Sequence, residues 1–547
     1  MRPLSRLLFS SALTLCAVPA FAMPVANNSG ETAHPQPDSV TTTGTLKVNG
    51  KAIAYHAVAG TLLVHGRKYD DSRVVLKQRG DLSATSGPEQ NTPGKASKDG
   101  KENGPIASMF YTAYFRDNAN TRTRPLVFLY NGGPGSASVW LQMGSFGPWR
   151  VSTPGVEHQP PPPYALIANP QSLLDVADLV FIDAPGTGYS RIGGKKAEKE
   201  FYGIDGDAAA FTHFIMAFLA KYHRFESPRY LFGESYGTLR SALVANELEQ
   251  EEGIDLNGVI LLSQILSYDN NADTPQFNPG NDEPYVLSLP TYAATAWYHH
   301  RLPQRPDQLA PFLREVEQFA STDYLLALQE GSLLPEPRKR TIAERLHHYT
   351  GLPAAYLLRA NLRVNGGMFT HQLEAAEDTT TGRLDTRFAG PSLDPMSKEA
   401  EYDPQSSALS SAYLSSFNAY VRNTLHYGGE VPYRVFAPGA NEHWDTHHSV
   451  PLPGGEDASI TPNVMPDLAM AMKTNPTLKI MLNSGLFDLA TPYYQAQHEL
   501  HHLPIPDRLQ ANISTYQYPT GHMVYVDAKS LQALHDNVAA FIAATTH

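Results

Sequence analysis

A serine lies between small residues in the stretch Gly233-Glu-Ser235-Tyr-Gly237, the only G-x-S-x-G pattern of the chain. In a nucleophile elbow, the tight turn that carries the serine leaves no room for side chains two residues before and after it. The strand-like run RYLFGE precedes the serine and a helical stretch follows it, as such an elbow requires. An ordinary turn is the alternative, but this context favours Ser235 as a nucleophile.

A serine hydroxyl is a weak nucleophile and needs a base that a third group orients. Asp488 comes shortly after the strand-like run TLKIMLNS, and His522 comes shortly after ISTYQY. Ligands bind beyond the carboxyl ends of strands in open α/β sheets, and the order serine, acid, histidine is that of such sheets. The sequence therefore predicts that Ser235, Asp488 and His522 form a catalytic triad. Position selects His522, because the chain has 21 histidines.

A glycine-rich loop follows an earlier strand-like run, in the stretch PLVFLYNGGPG that begins at Pro125. Glycine allows positive φ and a close approach of the backbone to a ligand. The oxyanion of an acyl-transfer intermediate needs backbone N–H donors from such a loop and from the residue after the nucleophile. We therefore predict an oxyanion hole formed by the loop of Gly132 and Gly133 together with the N–H of Tyr236.

The elements around these residues predict an α/β fold. Strand-like runs alternate with helical ones from residue 125, which is typical of βαβ units and a mostly parallel sheet, and two segments before it are typical of antiparallel strands. A final helix is expected from about Lys529. Residues 270–469 interrupt the pattern, so we predict a hydrolase domain over 43–269 and 470–547 with a helical cap insertion at 270–469. A solvated loop is expected at 83–105.

The N-terminus has the organisation of a secretory signal peptide. Arg2 and Arg6 precede an apolar run that ends at Ala20-Phe-Ala22, so we expect a signal peptide at 1–22, cleaved after Ala22, and a flexible leader at 23–42. The run is too short for a membrane anchor. Cys16, the only cysteine, would be removed, so we expect no disulfide in the mature chain and a secreted or periplasmic location. The net charge of −12 argues against nucleic acid as a partner.

Five motifs in a consistent order extend from about residue 108 to the C-terminus. They are Asn131-Gly-Gly-Pro-Gly, Asp183-Ala-Pro-Gly-Thr-Gly-Tyr-Ser190, Gly233-Glu-Ser-Tyr-Gly, Gly485-x-x-Asp488 and Gly521-His-Met523. Together they resemble the serine carboxypeptidase family, peptidase family S10, in a divergent bacterial branch. The resemblance implies an α/β-hydrolase fold with a helical cap, release of C-terminal residues from peptides, and N–H donation to the oxyanion by Gly133 and Tyr236.

The resemblance also implies a substrate site formed by Asn131, Gly132, Glu234 and Met523. Asn131 and Glu234 would bind the terminal carboxylate of the peptide, and Met523 would line the pocket of the leaving residue. The family pairs Glu234 with a second acid, but Ser145 occupies that position here. Two ionised acids would repel a carboxylate, so a protonated pair is what permits its binding at acidic pH. An esterase or acyltransferase with the same triad, or a silent peptide-binding protein, therefore stays an alternative.

Three other patterns in the chain have simpler explanations than a metal site or a substrate cleft. His498-Glu-Leu-His-His502 matches the H-E-x-x-H zinc signature, but no glutamate follows Glu499, so we predict a solvated helix end. His443-Trp-Asp-Thr-His-His448 has metal-like spacing without a partner cluster, and we expect no metal and no cofactor. The aromatic run Tyr285 to Tyr298 is predicted to be mostly cap core.

Overall fold

The computed structural model describes residues 38–67, 69, 104–153, 155–451 and 457–546. Its strands, in chain order, are β1 Ser39–Val48, β2 Lys51–His65, β3 Ile106–Arg116, β4 Leu126–Tyr130, β5 Trp149–Val151, β6 Leu166–Ala168, β7 Asp178–Ile182, β8 Arg191–Gly193, β9 Arg229–Glu234, β10 Gly258–Leu262, β11 Thr379–Thr381, β12 Ala389–Pro391, β13 His448–Pro451, β14 Asp457–Ile460, β15 Lys479–Gly485 and β16 Ile513–Tyr518. Ten of these strands form one sheet in the order β1-β2-β3-β7-β4-β9-β10-β15-β16, with β8 paired to β3.

Six neighbouring strands of this sheet, from β7 to β16, run parallel. β4, β7 and β10 are buried on both faces, which explains why their sequences are continuous apolar runs. β1, β2 and β3 extend the sheet in antiparallel pairing, and β3 joins antiparallel to β7. The predicted α/β fold with N-terminal antiparallel strands is confirmed.

The α-helices cover both faces of the sheet and much of the insertion. Their bounds are Val139–Leu141, Ala197–Phe201, Ile204–Tyr222, Tyr236–Gln250, Glu283–Tyr298, Leu309–Phe319, Leu325–Glu330, Glu336–Thr350, Ala354–Arg359, Gly366–Gln372, Pro404–Asn423, Ala440–His443, Met465–Thr474, Tyr493–His501, Asp507–Gln510 and Ala528–Thr545. Alternation along each strand assigns residues to opposite faces. Phe128 packs in the cluster that contains helices Ile204–Tyr222 and Tyr236–Gln250, whereas Val127 packs in the one that contains Ala528–Thr545.

The segment between β10 and β15 is the insertion. Helices Glu283–Tyr298, Leu309–Phe319 and Glu336–Thr350 share a third apolar cluster. Tyr285 and Tyr292 are buried in it, and Trp297 and Tyr298 pack against it half-buried, so the aromatic run contributes to an apolar core. Helix Pro404–Asn423 packs instead in the same cluster as helix Ala528–Thr545. The 270–469 boundary of the cap stays a prediction, but part of this insertion belongs to the core that covers the sheet.

Several N-terminal predictions fall on residues 1–37, outside the described part of the chain, including the signal peptide. The first strand begins at Ser39, inside the range 23–42 predicted as a leader. Most of the predicted loop 83–105 also lies outside the described residues. Among the helices that are described, none has the length and apolar character needed to cross a membrane.

Candidate active site

Ser235 occupies a sharp turn between β9 and helix Tyr236–Gln250. Its backbone has φ 62° and ψ −132°, a conformation that costs energy for a residue with a side chain and persists only where the surroundings impose it. A Cβ added at Gly233 would lie 2.1 Å from the carbonyl oxygen of Gly237, and one at Gly237 would lie 2.9 Å from that of Tyr130. The two glycines of the motif are therefore required by the packing of this turn, and the predicted elbow is present.

Asp488 and His522 form a hydrogen-bonded pair at the carboxyl ends of β15 and β16. The distance between His522 Nδ1 and Asp488 Oδ2 is 2.8 Å. The other carboxylate oxygen, Oδ1, accepts hydrogen bonds from the backbone N–H groups of Ala490 at 2.9 Å and Thr491 at 3.0 Å. The Thr491 hydroxyl donates to Oδ2 at 2.7 Å. A carboxylate fixed in this way holds the Nδ1 proton of the imidazole and leaves Nε2 as the basic nitrogen.

Part of the insertion holds the loop that carries His522. The N–H of His522 donates to the carbonyl of Leu384 at 2.7 Å, and the N–H of Gly521 donates to Asp385 Oδ2 at 3.2 Å. Asp385 is itself paired with Arg387. On the other side, the Ser263 hydroxyl donates to the His522 carbonyl at 2.7 Å. Sequence reasoning missed this support, because no local pattern links residues 384–387 to the histidine loop.

The two halves of the predicted triad share one site. Asp488 raises the pKa of His522 by charge and hydrogen bonding against the opposing effect of burial, and the carboxylate of Glu234, next to Ser235, adds to the rise. Ser235 Oγ and His522 Nε2 form no hydrogen bond within the described structure. Such contacts are often long in free enzymes and tighten when substrate binds. The Ser235–His522 contact stays a prediction.

The glycine-rich loop after β4 lies against the amide of the residue that follows the serine. A Cβ added at Gly132 would lie 2.4 Å from the backbone nitrogen of Tyr236, so only glycine fits. Gly133 has φ 113°, in the region that favours glycine. The loop and the N–H of Tyr236 are therefore adjacent, as the predicted oxyanion hole requires.

A buried carboxyl lies beside the elbow. Glu234 is 2% exposed, and its Oε2 accepts a hydrogen bond from Asn131 Nδ2 at 2.8 Å. The hydroxyl of Tyr525 lies 3.0 Å from Oε1 and 2.9 Å from Oε2 of Glu234. The Asn131 side chain is oriented by a hydrogen bond from the N–H of Leu141 to its Oδ1 at 3.0 Å. Asn131 and Glu234 are thus brought together as predicted, and Tyr525 is a member of the cluster that sequence reasoning missed.

Burial raises the pKa of Glu234 to about 7, although the charge of His522 and the hydrogen bonds from Tyr525 and Asn131 oppose the rise. Met523, the remaining residue predicted to contact substrate, is buried and directly precedes the 3₁₀ turn Val524–Val526. Ser145 is fully buried and does not reach the cluster, since its hydroxyl donates to the carbonyl of Leu141 in its own helical turn at 2.6 Å.

In the two motifs with metal-like spacing, the side chains form hydrogen bonds and ion pairs with other protein groups. Glu499 is buried and accepts hydrogen bonds from Gln495, Gln264 and the N–H of Leu266, so the expected solvated helix end is wrong for this residue. His448 lies between two aspartates, and His447 pairs with Asp445 at the surface. Within the described ranges, no group of three or more histidine, cysteine or acidic side chains is arranged to hold a metal ion.

The mostly parallel sheet, with a strained serine after β9 and an aspartate–histidine pair beyond β15 and β16, defines an α/β-hydrolase. The sequence profile of the family described as serine carboxypeptidase matches residues 101–535. The chain therefore belongs to the serine carboxypeptidase family.

Individual relatives are distant. Serine carboxypeptidase S10 family member 1 of Dictyostelium discoideum is 30% identical over 141 residues, which are 24% of this chain and 29% of the relative. Carboxypeptidase sxa2 of Schizosaccharomyces pombe is 31% identical over 29% of each chain. The matched segments thus span less than a third of these two relatives.

A similar fold is found in the crystal structure of Kex1(delta)p, a prohormone-processing carboxypeptidase from Saccharomyces cerevisiae. That structure has a TM-score of 0.50 and 15% sequence identity, with 89% of this chain and 91% of the other covered.

Proposed function

We propose that this protein is a serine-type carboxypeptidase that releases C-terminal residues from peptides through an acyl-enzyme. The observation that carries the proposal is the position of the Asn131–Glu234 pair directly beside the elbow serine and the Asp488–His522 pair. Family membership supports the same reaction. A hydrolase that must select the end of a peptide needs a carboxylate-binding group close to its nucleophile, whereas a general esterase does not.

In the proposed mechanism, Ser235 Oγ attacks the carbonyl carbon of the last peptide bond as its proton passes to His522 Nε2. The N–H groups of Gly133 and Tyr236 stabilise the resulting oxyanion. Asp488 stabilises the imidazolium, which then protonates the leaving amine, and the C-terminal residue departs. Water, activated by His522 in the same way, hydrolyses the acyl-enzyme and regenerates the serine.

Recognition of the free C-terminus is assigned to Asn131 and Glu234. The amide of Asn131 donates one N–H to Glu234, and we assign its second N–H to the substrate carboxylate. Glu234 can donate to a carboxylate only while it is protonated, and its raised pKa of about 7 supports a mainly protonated form below that pH.

The test is incubation of the purified protein with an N-blocked dipeptide and with the C-terminal amide of the same dipeptide, beside Ser235→Ala. We expect the free-acid peptide to lose its C-terminal residue, the amide to react far more slowly, and the Ser235→Ala variant to be at least a thousandfold slower on both. We expect a chelator to leave the rate of release of the C-terminal residue unchanged. Release that persists in Ser235→Ala would overturn the proposal.

An esterase or acyltransferase is the second candidate, and the observation that favours it is Ser145, which leaves Glu234 without a second acid. Cleavage of a p-nitrophenyl ester by the parent but not by Ser235→Ala, with all peptides left intact, would support this candidate over the carboxypeptidase.

Export is a further part of the proposal. Arg2, Arg6 and the apolar run that follows support a signal peptide at 1–22 and a secreted or periplasmic enzyme. N-terminal sequencing of the protein recovered outside the cytoplasm is expected to begin at Met23, and an N-terminus at Met1 would contradict it.

A further inference from the structure

Tyr525 is buried beside the candidate carboxylate site and bonded to its only acid. The ring is 1% exposed, and its hydroxyl is within hydrogen-bond distance of both oxygens of Glu234, at 3.0 and 2.9 Å. The residue lies three positions after His522, in the short 3₁₀ turn Val524–Val526. The loop that carries His522, the predicted base, therefore also carries the Tyr525 hydroxyl, which contacts the carboxyl of Glu234.

The ring occupies the space next to the helical turn that carries Ser145. A Cβ added at Gly144 would lie 2.4 Å from the ring of Tyr525 and 2.8 Å from the hydroxyl of Tyr413. The Ser145 hydroxyl donates its hydrogen bond to the carbonyl of Leu141. The glycine makes room for an aromatic ring, and the hydroxyl of that ring, rather than the Ser145 side chain, reaches Glu234.

Tyr525 differs chemically from a second acid. Burial and the charge of Glu234 hold the pKa of the Tyr525 phenol well above its usual range, so the hydroxyl stays neutral and a donor. A neutral donor stabilises the ionised form of the carboxyl that it contacts, and in this way lowers the pH at which Glu234 loses its proton. The other ionisable groups that face Glu234 are His522, Asp488 and Tyr413. The Arg240–Asp207 pair lies behind Asn131.

We propose that Tyr525 is a positioning residue that replaces the second acid of the carboxylate site: its hydroxyl orients Glu234 towards the substrate's terminal carboxylate and leaves Glu234 as the one acid that contacts that carboxylate. This inference rests on the proposed carboxypeptidase function. It implies that the protein loses its affinity for a free C-terminus as pH rises and Glu234 ionises. It also implies that the Tyr525 hydroxyl determines the pH at which half of that affinity is lost.

The experiment compares the parent with Tyr525→Phe, which keeps the ring and removes the hydroxyl. Tyr420→Phe is the matched control, because it removes a buried hydroxyl that bonds to Tyr114 at 3.1 Å and does not touch Glu234. KM and kcat are measured from pH 5 to 9 on an N-blocked dipeptide and on its methyl ester. In Tyr525→Phe we expect the pH at which KM rises to increase by about one unit for the free acid. We expect the pH-independent value of kcat to stay within about twofold of the parent, and the pH profile on the ester to shift by less than the profile on the free acid.

The same comparison is repeated as a binding measurement in the Ser235→Ala background, with the N-blocked dipeptide and its amide as probes. A Tyr525→Phe profile identical to the parent on the free acid would overturn the inference, as would equal losses on acid and ester, which indicate a merely structural role. If the Ser235→Ala protein binds the free acid but the parent releases no C-terminal residue, only the carboxypeptidase proposal is refuted. The pH shift caused by Tyr525→Phe can then still be measured from binding. Equal binding of acid and amide at every pH would refute the carboxylate site and this inference with it.

Glu234→Gln supplies an independent check. Its binding of the free acid is expected to be independent of pH, and adding Tyr525→Phe to it is expected to cause no further shift. A shift in the double variant would show that Tyr525 acts on some other group, and would contradict the inference.

Discussion

The residues of the candidate site are coupled by charge as well as by hydrogen bonds. Glu234 and His522 each affect the ionisation of the other: the imidazolium lowers the pKa of Glu234, and the carboxylate raises that of His522. His522 acts as a base only when it is neutral, so the state of the carboxylate site affects the pH range of the triad. We therefore expect carboxylate recognition and catalysis to be coupled through Glu234 and His522.

Replacing Glu234 by glutamine removes the charge and keeps the shape. Because the ionised carboxyl raises the pKa of His522, the Glu234→Gln variant is expected to have a lower pKa for the base, and the acid limb of its kcat/KM profile to move down by about half a unit to one unit. A p-nitrophenyl ester is the substrate, since it has no carboxylate to bind.

The matched control for this shift is Glu247→Gln, which removes a half-buried carboxyl that also has a raised pKa but is bonded to Thr212. Its profile is expected to match the parent. An acid limb that does not move in Glu234→Gln, or moves upward, would contradict the coupling.

The elbow and the sheet were predictable at the residue scale because their rules are local. Buried parallel strands are continuous apolar runs, and the elbow needs glycines at fixed offsets from Ser235. The contacts of Tyr525 with Glu234 and of Leu384 with His522 were not predictable. They join segments far apart in the chain, and no periodicity or motif marks either partner.

At the scale of elements, the site depends on how closely the loop after β4 packs on the start of helix Tyr236–Gln250. The nitrogen of Tyr236 leaves no space for a side chain at residue 132, and the elbow leaves none at 233 and 237. The predicted oxyanion donors are therefore positioned by backbone packing between two elements. A change of one methyl group at this interface is expected to affect catalysis without altering any predicted catalytic side chain.

Gly132→Ala is expected to displace the loop from the N–H of Tyr236, because the added Cβ would lie 2.4 Å from that nitrogen. Loss of one oxyanion donor costs roughly 10²–10³-fold in kcat, and we expect this effect with a smaller change in KM. Gly104→Ala is the control, since nothing lies within 4 Å of its added Cβ. Parent-like kcat in a folded Gly132→Ala protein would show that the loop is not part of the oxyanion hole.

At the scale of the whole molecule, a histidine of the insertion forms ion pairs with two helices. His448, at the start of β13, lies 2.6 Å from Asp205 on helix Ile204–Tyr222 and 3.1 Å from Asp467 on helix Met465–Thr474. Burial opposes its protonation, but the two aspartates outweigh this and raise the pKa of His448 to about 9. The protonated histidine thus links three segments of the chain.

This link predicts a pH-dependent contribution to stability. Because the folded pKa of His448 is raised, its contribution is complete below about pH 6.5 and is lost as pH rises through about 9. We expect His448→Gln to lower the free energy of unfolding by about 2 kcal/mol at pH 6 and by much less at pH 9.5, as measured by urea denaturation.

The adjacent His447 provides the control, because its pair with Asp445 is exposed and such surface pairs contribute little. His447→Gln is expected to match the parent at both pH values. A His448→Gln deficit that is the same at pH 6 and pH 9.5 would contradict a charged link.

The distance in sequence between the elbow and the histidine loop has a consequence for synthesis. A ribosome completes Ser235 and its glycines well before it reaches the segment that supplies both His522 and Tyr525. A chain that stalls or is cut within the insertion therefore lacks His522 and the Tyr525 partner of Glu234, although Asn131 is already present. We therefore expect hydrolysis only from chains that extend past Tyr525.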